Sequence, residues 1–99
     1  MLTIFVYDTL LVPATVRKAI GRQVKEVPAT LPNFKRLHKK GYGYLVYEKG
    51  AKVEGATMEL TRGEVATLDS WESKYKRTPV KLEDGTDAWA YELKEELKR

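Results

Sequence analysis

The stretch LTIFVYDTLL, residues 2–11, carries the clearest indication of the fold. Its first six residues are apolar, β-branched or aromatic, and so short a run of these residues is typical of a buried strand. Asp8 and Thr9 end the run with a polar turn, whose backbone N–H groups are free to bind a ligand. We therefore expect a strand over residues 2–7 that carries a polar turn at its end.

Composition limits the chain to one small domain without a bound metal. The 99 residues are 42% hydrophobic, so folding can bury somewhat over ~60% of the surface of the unfolded chain. The absence of cysteine excludes disulfides and thiolate zinc sites, and the single histidine, His38, disfavours a histidine-based metal site. We predict one domain over residues 1–93 and a charged, frayed tail over residues 94–99.

No segment is typical of a membrane or secreted protein. No apolar run approaches the ~18 residues of a membrane span. The N-terminal LTIFVY is too short, and too quickly followed by polar residues, for a signal peptide. The sequence therefore predicts a cytoplasmic location.

The net charge of +4 comes from 18 basic and 14 acidic residues. Several basic residues cluster beside aromatic residues, which is one feature of nucleic-acid-binding surfaces. A run of this kind is more often a segment solvated by its own charges, so we do not expect nucleic-acid binding here. The cluster consists of Lys35, Arg36, His38, Lys39 and Lys40, next to Phe34, Tyr42 and Tyr44.

The first third of the chain contains one predicted helix and one interrupted strand. Residues 13–20 begin with proline, place apolar residues four apart and stop at Gly21, which predicts a two-turn helix. Polar and apolar residues alternate over residues 23–31 and predict a strand. Pro28 confines that strand to a sheet edge or a bulge, because proline has no N–H to donate.

The middle of the chain is predicted to form further strands. Asn33 is expected in a turn, followed by a strand that resumes over residues 34–37. Residues 42–47 and 52–60 resemble the two arms of a hairpin around the intervening EKG. Gly55 is expected at a bend in the second arm.

Thr61 begins the clearest helix. The sequence TRGE is typical of a capping box, in which Thr61 accepts a hydrogen bond from a free backbone amide and Glu64 reaches back to the cap. Val65 and Leu68 fall on one face at helical spacing. Glu72 then lies beside the buried face, near the end of the helix.

The last strands form a predicted hairpin, which completes the fold class. Residues 75–82 and 87–93 flank EDGT, where Asp84 and Gly85 are a strong turn signal. Together the elements predict an α+β domain, a small mixed β-barrel of five to seven strands with two helices packed on it.

Five short motifs in this order resemble the gamma-glutamylcyclotransferase-like family, including its gamma-glutamylamine cyclotransferase subgroup. They are F-V-Y-x-T-L at residues 5–10, V-x-G at 53–55, L-D-x-x-E at 68–72, Y-x-R at 75–77 and A-Y at 90–91. Each motif alone is weak, but the ordered set spans nearly the whole chain.

The resemblance implies a compact barrel whose pocket binds a gamma-glutamyl group. The turn after the first strand is then expected to offer backbone amides to the substrate, and Glu72 to act as the general acid and base. Neither a metal nor a cofactor is implied. The predicted substrate-binding residues are Tyr7, Asp8, Thr9, Leu10, Tyr75, Arg77 and Tyr91.

The chemistry implied by this resemblance suits a single carboxylate. Conversion of a gamma-glutamyl amide to 5-oxoproline requires attack of the substrate's own α-amine on its side-chain carbonyl, so the nucleophile is already tethered. An α-ammonium has a pKa of about 8, so one well-placed carboxylate can remove its proton and later protonate the leaving amine. Amides aimed at the substrate's carboxylate or at the developing oxyanion supply the remaining stabilisation.

Asp8 departs from the pattern, because the resemblance predicts glycine at this position. Glycine permits close approach of the backbone to a ligand and a positive φ, whereas Asp8 brings a negative charge beside the expected substrate carboxylate. The Asp8 side chain has two other interpretations: it caps the following turn, or it selects a ligand with an additional amine. The sequence thus leaves two functions open, a cyclotransferase and a non-catalytic module that binds a small ligand or nucleic acid.

Overall fold

One curled, five-stranded sheet dominates the computed structural model, which describes residues 1–97. The strand order is β2-β3-β1-β5-β4, so the first strand lies in the middle, antiparallel to β3 and parallel to β5. The sheet forms a half-closed barrel with two helices packed on it, which confirms the predicted fold class. The strands are β1 Leu2–Val6, β2 Val27–Lys39, β3 Tyr42–Leu60, β4 Tyr75–Lys81 and β5 Asp87–Leu93.

Both predicted helices form at their expected positions. Helix α1, Pro13–Ile20, starts with its proline and ends at Gly21, whose φ is 83°. Helix α2, Arg62–Trp71, begins with the predicted capping box. In that box the Glu64 amide donates to Thr61 Oγ1 at 3.2 Å, and the Thr61 amide donates to Glu64 Oε1 at 2.9 Å. Neither helix, within residues 1–97, is long and apolar enough to cross a membrane.

The predicted hairpin around EKG is wrong, because residues 42–60 form one continuous strand, β3. The hairpin lies instead between β2 and β3, where Lys40 and Gly41 have φ values of 51° and 84°. Two consecutive residues with positive φ make the tight turn that suits the twist of two paired strands. Gly50 does have a φ of 87°, but it lies in a bulge of β3, among the unpaired residues 48–51, and not in a hairpin turn.

Asn33 lies opposite this bulge and not in the predicted turn. The pairing of β2 with β3 shifts register between Pro32 and Phe34, and Asn33 has a φ of 65°. Its Oδ1 accepts a hydrogen bond from the Gly50 amide at 3.0 Å, which ties the two strands together at the irregularity. Extra residues of this kind, here in β3, bend a strand without ending it, so β2 and β3 continue past this point.

The remaining strands begin and end near the positions predicted from the sequence, with the largest difference at the start of β2. Strand β2 starts at Val27 rather than at Gln23 and carries Pro28 on an outer strand of the sheet, as its missing N–H predicts. Strands β4 and β5 pair as the predicted hairpin. Glu95–Leu97 form a short 3-10 turn, and residues 98 and 99 of the predicted tail lie outside the described residues.

The core lies on both faces of the sheet, because successive residues of β1 point to opposite sides. Ile4 and Val6 pack in the cluster that the helices cover, whereas Phe5 and Tyr7 pack on the other face. Gly55, predicted at a bend, is instead a point of close approach. A Cβ there would lie 2.2 Å from the Val6 carbonyl oxygen, so only glycine lets β3 pass this close to the end of β1.

Candidate active site

A cleft of about 300 Å³ opens where β1 ends. The end of α2 and the starts of β3 and β4 contribute its walls, so residues far apart in sequence meet there. This inner cleft is lined by Phe5, Val6, Tyr7, Asp8, Thr9, Leu10, Gly43, Glu72, Tyr75 and Tyr91. It contains all of the predicted site residues except Arg77.

Glu72 occupies the turn that joins α2 to β4. Its amide donates to the Leu68 carbonyl at 2.7 Å, and its carbonyl accepts from the Tyr75 amide at 3.0 Å, so both sides of the residue are fixed to regular structure. Burial raises the pKa of the Glu72 carboxyl, and the negative charge of Asp8 raises it further. A carboxylate with a raised pKa is a stronger base than an exposed one, which suits proton abstraction.

The turn after β1 lies at the inner cleft. Thr9–Leu11 form one turn of 3-10 helix, in which the Leu11 amide donates to the Asp8 carbonyl at 2.9 Å. The first N–H groups of any helical turn have no acceptor within it, and Thr9 and Leu10 both line the cleft. Thr9, Leu10 and Glu72 therefore border the same space.

The Asp8 side chain does not cap this turn, contrary to one of its predicted roles. Its Oδ2 instead accepts from the amide of Gly43 at 2.9 Å, and its Oδ1 lies 3.7 Å from His38 Nε2. A Cβ at Gly43 would lie 2.8 Å from Asp8 Oδ2, so the glycine leaves the space that the carboxylate fills. Asp8 has a φ of −139°, which is not positive, so its backbone conformation does not require glycine.

Hydrogen bonds from tyrosine hydroxyls connect the walls of the inner cleft. Tyr7 donates to the Tyr91 carbonyl at 2.5 Å, and Tyr75 donates to the Gly43 carbonyl at 2.6 Å. Burial, together with nearby acidic groups, raises the pKa of Tyr75 to about 12 and raises the pKa values of Tyr7 and Tyr91 as well. All three hydroxyls thus stay protonated, so they serve as donors rather than as bases.

Arg77 lies behind the cleft wall rather than in the cleft. Its Nε and Nη2 donate to Asp69 at 3.2 and 3.4 Å, and its guanidinium carbon lies 4.6 Å from the centre of the Trp89 ring. Asp69 also accepts from the Tyr91 hydroxyl at 2.7 Å. Arg77 therefore supports Tyr91 through Asp69.

Sequence reasoning missed Arg36 and Gly43. Arg36 Nη1 donates to the Tyr7 carbonyl at 2.7 Å and thereby holds the end of β1. Alternation along β2 puts Arg36 and His38 on one face and Lys35 and Lys39 on the other. The basic cluster is therefore split between two faces, and only the pairing of β2 with β3 reveals which of its members approach the turn after β1.

An outer cleft of about 520 Å³ adjoins the inner one and shares Asp8, Thr9, Glu72 and Tyr75 with it. Trp71, expected in packing, is 46% exposed and lines this outer cleft. Lys74 Nζ lies 4.8 Å from the centre of the Tyr42 ring. The remaining lining residues are Tyr42, Ser73 and Lys74. The outer cleft thus offers an aromatic, open surface beside the Glu72 carboxylate.

No group of three or more His, Cys, Asp or Glu residues within residues 1–97 is arranged to hold a metal ion.

A family model described as gamma-glutamyl cyclotransferase, AIG2-like, matches residues 4–99. The chain belongs to this family. It is also 34% identical over 93 residues to AIG2-like protein D of Arabidopsis thaliana. That alignment covers 88% of this chain and 61% of the relative, so the chain spans under two thirds of the relative's length.

Solved structures share the fold of this AIG2-like chain. A solution structure of an Arabidopsis thaliana protein matches with a TM-score of 0.81 and 28% identity, over 95% of this chain and 69% of that one. A structure named gamma-glutamyl cyclotransferase matches with a TM-score of 0.76 and 15% identity, over 94% of this chain and 66% of that one. The second likeness shows the fold alone.

Proposed function

We propose that this protein is a cofactor-free cyclotransferase, which converts the gamma-glutamyl group of a gamma-glutamyl amine or peptide to 5-oxoproline and releases the amine. One observation carries the proposal: Glu72, whose carboxyl has a raised pKa, lines the same cleft as Thr9 and Leu10 of the turn after β1. Family membership supports the reaction class. A cytosolic location is part of the same proposal.

In the proposed reaction Glu72 moves protons between the two nitrogens of the substrate. The carboxylate takes a proton from the α-ammonium, whose pKa is about 8, and the freed amine attacks the side-chain carbonyl carbon. A C–N bond forms to close the ring, and the bond to the leaving nitrogen breaks after that nitrogen is protonated. One α-nitrogen proton stays in the ring, and two leave with the released ammonium. Because the nucleophile and the carbonyl are tethered, the main task of the protein is orientation.

Backbone amides are the proposed stabilisers of the developing oxyanion. The Tyr7 and Tyr75 hydroxyls already donate to backbone carbonyls, so neither is free to donate to a substrate without breaking a bond. Thr9 and Leu10 line the cleft, and their backbone amides are the proposed donors. Removal of one such preorganised donor typically costs about 10²–10³-fold in kcat, so the position of this turn is expected to matter for rate.

The test is production of 5-oxoproline from a panel of gamma-glutamyl amines and dipeptides, including gamma-glutamyl-lysine, followed by mass spectrometry in the presence of a chelator. Glu72→Gln should abolish turnover, because an amide cannot accept the proton. Glu48→Gln, an exposed change on β3 outside both clefts, should retain it. Absence of product across the panel, with folded protein, would overturn the proposal.

A further inference from the structure

The inner cleft is lined by two carboxylates and no basic side chain among the residues that the structure describes. Asp8 and Glu72 supply the negative charges, and the other polar side chains at its wall are tyrosines and Thr9. A free gamma-glutamyl group carries both an α-ammonium and an α-carboxylate. The ammonium suits such a cleft, but the α-carboxylate meets like charge.

Asp8 is held in place rather than free to turn away. The Gly43 amide donates to it, and the missing Cβ of Gly43 leaves room for it. The Tyr75 hydroxyl fixes the carbonyl of the same glycine. The charge of Asp8 reaches the cleft, because it contributes to the raised pKa values of Glu72 and Tyr75.

The basic side chains near Asp8 lie outside the inner cleft, and of these only Lys74 lines the outer cleft that shares Asp8. His38 Nε2 lies 3.7 Å from Asp8 Oδ1, but the His38 side chain is 58% exposed and lines neither cleft. The Arg36 guanidinium donates to the Tyr7 carbonyl and also lines neither cleft. A substrate in the inner cleft therefore meets the Asp8 carboxylate without a basic side chain between them.

We propose that Asp8 makes this cleft select a glutamyl group whose α-carboxyl is uncharged, such as the N-terminal glutaminyl residue of a peptide. In that residue the α-carboxyl is an amide, whose N–H donates to a carboxylate such as Asp8, where an α-carboxylate is repelled. Asp8 is thus a specificity-determining residue. The proposal rests on the proposed function, because it assigns a substrate class to the same reaction.

The chemistry needs no new group. The α-amine of the glutaminyl residue attacks its own side-chain carboxamide carbon, a C–N bond closes the five-membered ring, and the bond to the carboxamide nitrogen breaks. Glu72 carries the protons, two of which leave with ammonia as ammonium while one stays on the ring nitrogen. The products are a 5-oxoprolyl peptide and ammonium, and the exposed Trp71 of the outer cleft is a surface for the rest of the peptide.

The decisive experiment compares two substrates that differ only at the α-carboxyl. One is a gamma-glutamyl anilide with a free α-carboxylate, the other its α-carboxamide, and a short peptide with N-terminal glutamine extends the comparison. We expect kcat/KM for the carboxamide to be about tenfold or more higher, as for removal of a close like charge at a partly solvated site. Asp8→Asn should remove most of this preference, because it keeps the shape and deletes the charge. Glu48→Gln is the matched control.

A binding measurement separates failure of this inference from failure of the proposed function. The products 5-oxoproline, an anion, and 5-oxoprolinamide, which is neutral, are titrated into the protein and followed by NMR amide shifts. Wild type should bind the neutral product more tightly, and Asp8→Asn should lose most of this difference. Asp8→Gly serves in the same way if Asp8→Asn does not fold.

The possible outcomes distinguish failure of the proposed role of Asp8 from failure of the proposed cyclotransferase reaction. Equal or better turnover of the free α-carboxylate substrate, with a ratio unchanged by Asp8→Asn, overturns the role of Asp8 and leaves the cyclotransferase intact. Absence of turnover on every substrate overturns the cyclotransferase, and the two product affinities then decide the selectivity of the cleft. Equal affinities, or no binding of the neutral product, overturn the inference.

Discussion

The substitution Gly43→Ala tests the contact that fixes Asp8. The added Cβ would lie 2.8 Å from Asp8 Oδ2 and 2.9 Å from its Cγ, so the carboxylate has to move. Gly43 does not have a positive φ, and alanine therefore adds no backbone strain. The cost is mainly the hydrogen bond from the Gly43 amide to Asp8.

The expected cost is about 1.5–2 kcal/mol. A hydrogen bond to a charged group contributes about 1.5–3 kcal/mol, and the low end applies because the Asp8 side chain is 26% exposed. The steric contribution adds little, since a short side chain can rotate away. For a domain of this size each kcal/mol lowers Tm by about 4–8 °C, so we expect thermal unfolding about 6–16 °C lower.

Thermal and urea unfolding of four proteins make the test quantitative: wild type, Gly43→Ala, Asp8→Gly and the double variant. If the contact is as described, Gly43→Ala costs about 1.5–2 kcal/mol in the wild-type background and close to nothing in the Asp8→Gly background, where the carboxylate is gone. An equal cost in both backgrounds would refute the reasoning, because the alanine would then be destabilising something other than the carboxylate.

Three further predictions concern the same cleft. Asp8 contributes to the raised pKa of Glu72. Asp8→Asn should therefore move the acid limb of the profile of kcat/KM against pH to lower pH. An unmoved limb would contradict the electrostatic coupling of Asp8 to Glu72. A carboxyl whose pKa is raised by folding destabilises the fold as pH rises through that raised value. Glu72→Gln should therefore raise Tm at neutral pH, where Glu72 is charged. It should not raise Tm in acid, where the Glu72 carboxyl and the Gln amide are both neutral. Calorimetry at two pH values checks the sign. Tyr91→Phe deletes the hydroxyl that donates to Asp69 and should cost about 1.5 kcal/mol, the low end for a hydrogen bond to a charged group, whereas Tyr47→Phe, at an exposed ring, should leave unfolding unchanged.

Helices and hairpins whose start and end residues lie close together in sequence were predictable from sequence. Helix α1 has its proline and its terminal glycine, α2 has its capping box, and the last hairpin has Asp84 and Gly85. In each case the residues that decide the structure lie within a few positions of one another. The fold class and the position of Glu72 at the end of α2 followed from them.

Features that depend on pairing between distant residues were not predictable. Gly50 has the local properties of a turn residue, and only its bond to Asn33, 17 residues earlier, makes it part of one long strand. Gly43 is 35 residues from Asp8, so nothing near Asp8 indicates where its carboxylate turns. Arg36 looked like a member of a solvated run, because its contact with the Tyr7 carbonyl depends on the register of β2 against β3.

The division of the site into two clefts has a consequence for engineering. Glu72 is held between α2 and β4 by backbone hydrogen bonds, and Asp8 is held to β3 through the Gly43 amide. The outer-cleft residues Tyr42, Ser73 and Lys74 lie beside a hairpin turn and in the connection from α2 to β4. Residues in connections tolerate substitution better than those of the core. We therefore expect that these outer-cleft positions can be varied as a library while the contacts that hold Glu72 and Asp8 are kept, so the proposed specificity and the proposed catalytic groups can be engineered separately.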